Sequence, residues 1–231
     1  TFCELSHSYG APAPGHPFGF NQQGCDIYAR TVYGARASVT VGVLTTLLVL
    51  VLGVVVGALA GFFGGWADTL LARITDVFFA VPFVLAAIVV MQMFKGRSSI
   101  LTVVLVLAVF GWPQIARITR GAVMSVKNED FVTAARSLGS GRFAILARHV
   151  LPNAAAPIIV TATVQLGSFI VAEATLSFLG IGLPPTVVSW GADIAAAKTA
   201  LRDNISVLWY PGGALALTVL GFIMMGDAVR E

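Results

Sequence analysis

Long uncharged runs separated by short polar passages set the pattern of this chain. Residues 37–63 carry no charge over 27 positions, more than the roughly 20 a helix needs to cross about 30 Å of hydrocarbon. Further apolar runs cover residues 70–94, 100–120, 156–179 and 207–225, so the pattern predicts five membrane-spanning helices. Gly53, Gly57 and Gly61, four apart, give the first run a small-residue face suited to close helix packing. Pro82 and the Trp112-Pro113 pair are expected to shape the second and third spans. Residues 1–35 are polar and rich in Gly and Pro, an irregular segment outside the bilayer. The loop 180–206 is expected to hold a short amphipathic helix at 190–201.

One polar passage has helical order of its own, Lys127 to Asn153. Asn128 is expected to cap a helix whose first turn carries Glu129 and Asp130, the charge sign a helix N-terminus favours. Phe131, Ala134, Ala135 and Leu138 recur at helical spacing and predict one apolar face. Gly139 and Ser140-Gly141 stop that helix. A second helix follows with Phe143, Leu146, Ala147 and Val150 on one side, and Pro152 is expected to end it. Read from pattern alone, the stretch is either an ordinary amphipathic connector on the membrane surface or a platform for a partner.

Composition agrees with a lipid solvent: 57% of the 231 residues are hydrophobic and 11% charged, with mean hydropathy +0.88. The net charge of +3 matters less than its placement. Arg117, Arg120, Lys127, Arg136, Arg142 and Arg148 all border or lie in one connector, which the positive-inside rule makes cytoplasmic. The N-terminal segment and the 180–206 loop are then external and the C-terminus internal. An external start without a signal peptide implies one more span upstream of this sequence. No basic, aromatic-interleaved patch suggests nucleic acid.

Catalytic patterns are missing. Lys198-Thr199 lacks the glycines of a P-loop, and no metal-ligand spacing joins His7, His16 and His149. Cys3 and Cys25 share the external segment, where a disulfide or two free thiols are both open readings. Glu173 lies inside the fourth span, where a charge costs on the order of 2.5–3.5 kcal/mol on insertion scales. It is either a pathway or gating residue or an interhelical hydrogen-bond partner. Asp76 and Arg73 lie nearer a helix end and can snorkel.

Ala134-Ala135, Gly139 three residues after Arg136, and Leu151-Pro152 resemble the EAA loop of binding-protein-dependent ABC importer permeases. His16-Pro17-Phe18-Gly19 through Asp26, Tyr33-Gly34-Ala35-Arg36, the run Glu173 to Gly182 with Pro184 and Ser189-Trp190-Gly191, and Trp209, Pro211-Gly212-Gly213 and Gly226-Asp227 are similar to the second permease subunit of dipeptide/oligopeptide importers. The chain departs from that pattern at Asn21, Cys25, Thr133 and His149.

The resemblance implies an all-α polytopic bundle of the type I ABC importer permease fold, with an extracytoplasmic segment (1–35) ahead of the transmembrane domain (36–231). A coupling loop over 128–152 would meet the ATPase through Phe131, Thr133, Ala134, Ala135, Arg136, Leu138 and Gly139. The expected partners are a homologous permease, two ATP-binding subunits, an external substrate-binding protein and the lipid membrane, without nucleic acid. ATP and Mg would sit on the partners, this chain holding no cofactor or metal and being no enzyme. The expected setting is the bacterial cell membrane. Dipeptides, longer peptides, nickel chelates and glutathione are served by related permeases. The alternative is a proton-coupled secondary transporter with Glu173 and Asp76 as carriers.

Overall fold

In the computed structural model, which describes residues 3–200 and 205–230, the apolar runs are helices. They are α1 (Ile27–Phe63), α2 (Gly65–Ala80), α3 (Phe83–Met93), α4 (Ile100–Val126), α5 (Asp130–Ser137), α6 (Arg142–Ile145), α7 (Leu151–Asn153), α8 (Ala155–Phe178), α9 (Trp190–Ala200) and α10 (Ser206–Arg230). A single π-helical turn, Leu146–Val150, joins α6 to α7. Four helices among the described residues (α1, α4, α8, α10) are long and apolar enough to cross a bilayer, and α2 with α3 makes a fifth candidate.

Three expectations change. The first α-helix begins at Ile27, ten residues before the first uncharged run, because Asp26 Oδ1 accepts the Tyr28 N–H at 2.9 Å and caps the helix inside the polar segment. The second span is broken: α2 and α3 meet at an 80° bend. Pro82 forces Val81 into extended backbone (φ −104°, ψ 124°) and cannot continue the ladder. Pro152 does not end its helix. It lacks the N–H that would reach Arg148, and the chain widens into the π turn just before it and then runs on toward α8. Leu201 and Glu231 lie outside the described residues.

The chain divides into two units. The first comprises the chain up to Leu44, Ile88–Leu107 and Leu166–Gly221. Here Cys3 and Cys25 are joined by a disulfide, and Asn21 Oδ1 accepts the N–H groups of Gln23 and Cys25, so an amide oxygen shapes the turn at one departure from the family pattern. Ile27, Ala197, Ala200 and Val207 form a small core beneath Phe18 and Tyr210, whose rings stack 3.6 Å apart. The buried Asp193 carboxylate takes Arg30 Nε at 2.9 Å and its Nη2 as well, tying α9 to α1.

The second unit comprises Thr45–Ala87, Ala108–Gln165 and the chain from Phe222. The three glycines of α1 face α4: a Cβ at Gly53 would sit 2.6 Å from the Ile115 side chain, one at Gly57 would collide with the Ala116 carbonyl, and one at Gly61 would lie 2.8 Å from the Arg120 carbonyl. Small residues let these backbones touch, which in lipid replaces hydrophobic force as the reason to associate. Asp68 on α2 binds Arg120 on α4 through both carboxylate oxygens, and the exposed Asp76 meets Arg117 at 3.3 Å.

Candidate functional site

The 127–153 stretch forms its own small core in the second unit. Val132 and Ala135 of α5 pack with Val123, Ile145, Leu146, Val150 and Ala154. An isolated eight-residue helix is unstable in water, so this burial holds α5 in place; one fully buried valine contributes about 1.5–3 kcal/mol. The cap is Glu129, not Asn128: the Glu129 carbonyl accepts the N–H groups of Val132 and Thr133, and no side chain caps the helix. At the other end Ser140 N–H bonds the Ala135 carbonyl and Gly139 N–H the Arg136 carbonyl, with Gly139 at φ +82°. That pair of bonds with a left-handed residue is a Schellman closure, and it turns the chain back toward α6.

The expected apolar face divides in two. Ala135 is 7% exposed and belongs to the core with Val132, while Phe131 (42%) and Leu138 (87%) point to solvent with Thr133, Ala134 and Arg136. With 3.6 residues per turn, Val132 and Ala135 centre about 80° round the helix from Phe131 and Leu138, so the covered and the bare stripes are neighbours. Val132, missed from sequence, was signalled only by its spacing of three from Ala135. In the next helical run Phe143 and Ala147 are also exposed, and Ile145 takes the buried place expected of Phe143. The result is an anchored projection with bare apolar tips.

Glu173 is fully buried in the first unit. Ser177 Oγ donates to its Oε1 at 2.8 Å, and Ser38 and Ser189 turn their hydroxyls toward the same carboxyl group. Oε2 has no hydrogen-bond partner among the described residues. The following loop folds over this spot. Leu183 N–H reaches Ser177 Oγ at 3.2 Å, and the Trp190 indole donates to the Thr31 carbonyl at 2.7 Å. A Cβ at Gly191 would lie 2.5 Å from the Ala174 carbonyl oxygen, and one at Gly182 would collide with Ser177. Asp76 belongs to the other unit and is 58% exposed, paired with Arg117. No group of three or more His, Cys, Asp or Glu among the described residues is placed to hold a metal.

Residues 53–230 match the family described as "Binding-protein-dependent transport system inner membrane component". The chain belongs to this family. It is a multi-pass membrane protein, the non-catalytic permease subunit of an ABC importer, in which ATP hydrolysis falls to a partner ATPase. It is 37% identical over 220 residues to the oligopeptide transport system permease protein OppC of Bacillus subtilis, covering 95% of this chain and 72% of that protein. It is 36% identical to the glutathione transport system permease protein GsiD of Pectobacterium atrosepticum, with the same coverage. The fold matches a chain of the MetNI methionine ABC transporter in an inward-facing conformation, with a TM-score of 0.71 at 20% identity, covering 88% of this chain and 96% of that one. Such a subunit implies ATPase, substrate-binding and second permease partners. Nothing in these likenesses supports Glu173 and Asp76 as proton carriers.

Proposed function

We propose that this permease carries short peptides, and that the loop 128–152 is the lever through which ATPase closure reaches the spans. The observation that carries the proposal is the exposure of Phe131 and Leu138 on a helix whose adjoining face is locked by Val132 and Ala135. Exposed apolar anchors on a rigid base are what a partner's cleft recognises, and rigidity lets the partner's motion move the spans rather than bend the loop. Phe131, Ala134 and Leu138 make the contact, with Thr133 at its polar edge. Ala135 and Gly139 hold the shape of the helix and its exit.

The Lys/Arg distribution favours a cytoplasmic loop and C-terminus, with the N-terminal segment and the 180–206 loop outside. On this reading the assembly is two homologous permeases, two ATP-binding subunits and one external binding protein. The cargo follows from the relatives: an oligopeptide permease and a glutathione permease share a peptide substrate class.

The test is reconstitution of the full assembly in proteoliposomes with labelled di- and tripeptides. ATP-dependent uptake is expected, with none when a pH gradient is applied to the permease alone. Uptake by the isolated chain, or an assembly that hydrolyses ATP with binding protein present yet accepts no peptide, defeats the proposal.

A further inference from the structure

Behind α5 lies a cavity of about 270 Å³ lined by Phe62, Phe63, Lys127, Asn128, Arg136, Ser140, Arg142 and Ile145. Its wall holds three cations and no carboxylate. Lys127 spends one of its three donors on the Gly61 carbonyl at 2.7 Å, closing the end of α1. Arg136 and Arg142 form no ion pair among the described residues. The carboxylate of Asp68, close enough to feel Lys127, is already held by Arg120 through both oxygens. The Asn128 amide and the Ser140 hydroxyl add two neutral donors. Guanidinium, ammonium and amide groups lining one cavity without an acid are the donor set for a phosphoryl oxyanion.

The other wall is aromatic. Phe62 and Phe63 close the apolar run of α1, and the Phe63 ring lies 5.3 Å from that of the exposed Phe143. Charge together with the exposed rings of Phe63 and Phe143 at the end of a membrane span matches a molecule with an anionic head and an apolar body. A free phosphate would use only the first wall. Basic pockets at span ends are where anionic headgroups settle.

We infer that Lys127, Arg136 and Arg142, beside Phe62 and Phe63, bind the phosphodiester headgroup of an anionic phospholipid. The bound lipid would then sit against the helix that the motor moves, so lipid composition would tune coupling. The headgroup assignment needs the membrane boundary at Phe63, not the peptide cargo.

The test uses the assembled importer extracted from bilayers holding equal phosphatidylglycerol and phosphatidylcholine, with retained lipids counted by native mass spectrometry. Preferential retention of phosphatidylglycerol is expected, falling about fivefold for each cation removed in K127Q, R136Q and R142Q. Arg142→Lys should keep the preference, and the control pair K95Q/R97Q should leave it unchanged. If the glutamine variants fail to assemble, the wild-type complex still decides, because its preference must fall as salt rises. Equal retention of both lipids overturns the inference. So does loss of the preference to millimolar inorganic phosphate, which would mean a free-anion site. A preference seen in the permease but absent from the full complex overturns it too, since carboxylates of the ATPase would then fill the cavity.

Discussion

Two stretches of this chain carry strong sequence patterns and solve opposite physical problems. The loop around α5 leaves apolar side chains in solvent, Leu138 at 87% exposure, while the stretch from Glu173 to Gly191 buries a carboxylic acid with three serine hydroxyls around it. Neither arrangement is what folding alone favours. A bare leucine gains nothing until something covers it, so the loop's stability must come from the side that Val132 and Ala135 bury. A buried acid is costly unless hydrogen-bonded; the serine hydroxyls offset part of that cost, and glycines let the loop backbone lie against α8 over the site. On the proposed reading, exposure marks the part that meets a partner, and dense burial marks the part that keeps its shape.

The largest effect is expected in the loop. Leu138→Asp places a charge where an apolar contact is proposed and should reduce ATP-driven uptake about 100-fold, the loss of a central interface anchor. The permease alone should melt as before, because Leu138 touches little of its own chain. Ala135→Leu is the counterpart. It forces bulk into the loop core and should lower the stability of that core by about 1–3 kcal/mol, with uptake falling as a consequence. Scanning fluorimetry beside vesicle uptake checks both. If L138D transports normally, or if A135L melts like the parent protein, exposure and anchoring have been assigned to the wrong sides of α5.

A smaller effect is expected in the Glu173 stretch. Gly191→Val pushes a side chain against the Ala174 backbone, which has no room to yield, and should cost about 1–3 kcal/mol. ATPase stimulation by the loop should survive in whatever fraction still folds. Unchanged thermal stability in detergent would mean that this loop does not lie against α8.

Much of this was legible from residue order, for definite reasons. The uncharged runs marked the helices because lipid tolerates no unpaired backbone, and Gly53, Gly57 and Gly61 pointed to a close helix contact because spacing four keeps them on one face. The inner side of α5 was not legible. Phe131, Ala134, Ala135 and Leu138 fit one face, yet Val132 with Ala135 fits another, and only the positions of Val123, Ile145 and Val150 decide which is covered. The break at Pro82 could be foreseen as a kink but not as an 80° turn, since Val81 has to leave helical backbone altogether. Cavity chemistry was hidden too: Lys127, Arg136 and Arg142 read only as the positive charge of one connector, and the fold of the loop places all three in the lining of one cavity with Phe63.

The smallest expected effect tests whether burial governs the first unit. Asp193, in α9 outside the spans, is buried beside Arg30; loss of water raises its carboxyl above the usual aspartate range, and the Arg30 bond only partly opposes this. In the unfolded chain the group returns to an ordinary aspartate. The folded form therefore binds its proton at higher pH than the unfolded form. Stability from this group is lost as pH rises through the folded value and regained as pH falls toward the unfolded one. Asp193→Asn removes the titration while keeping the shape. It leaves Arg30 without its anion, so the variant should be less stable at neutral pH. The parent protein should gain on the variant as the medium is acidified into the carboxylate range, read as a widening difference in melting temperature. A difference that stays flat or narrows with falling pH would mean that the Arg30 charge, rather than desolvation, dominates at Asp193.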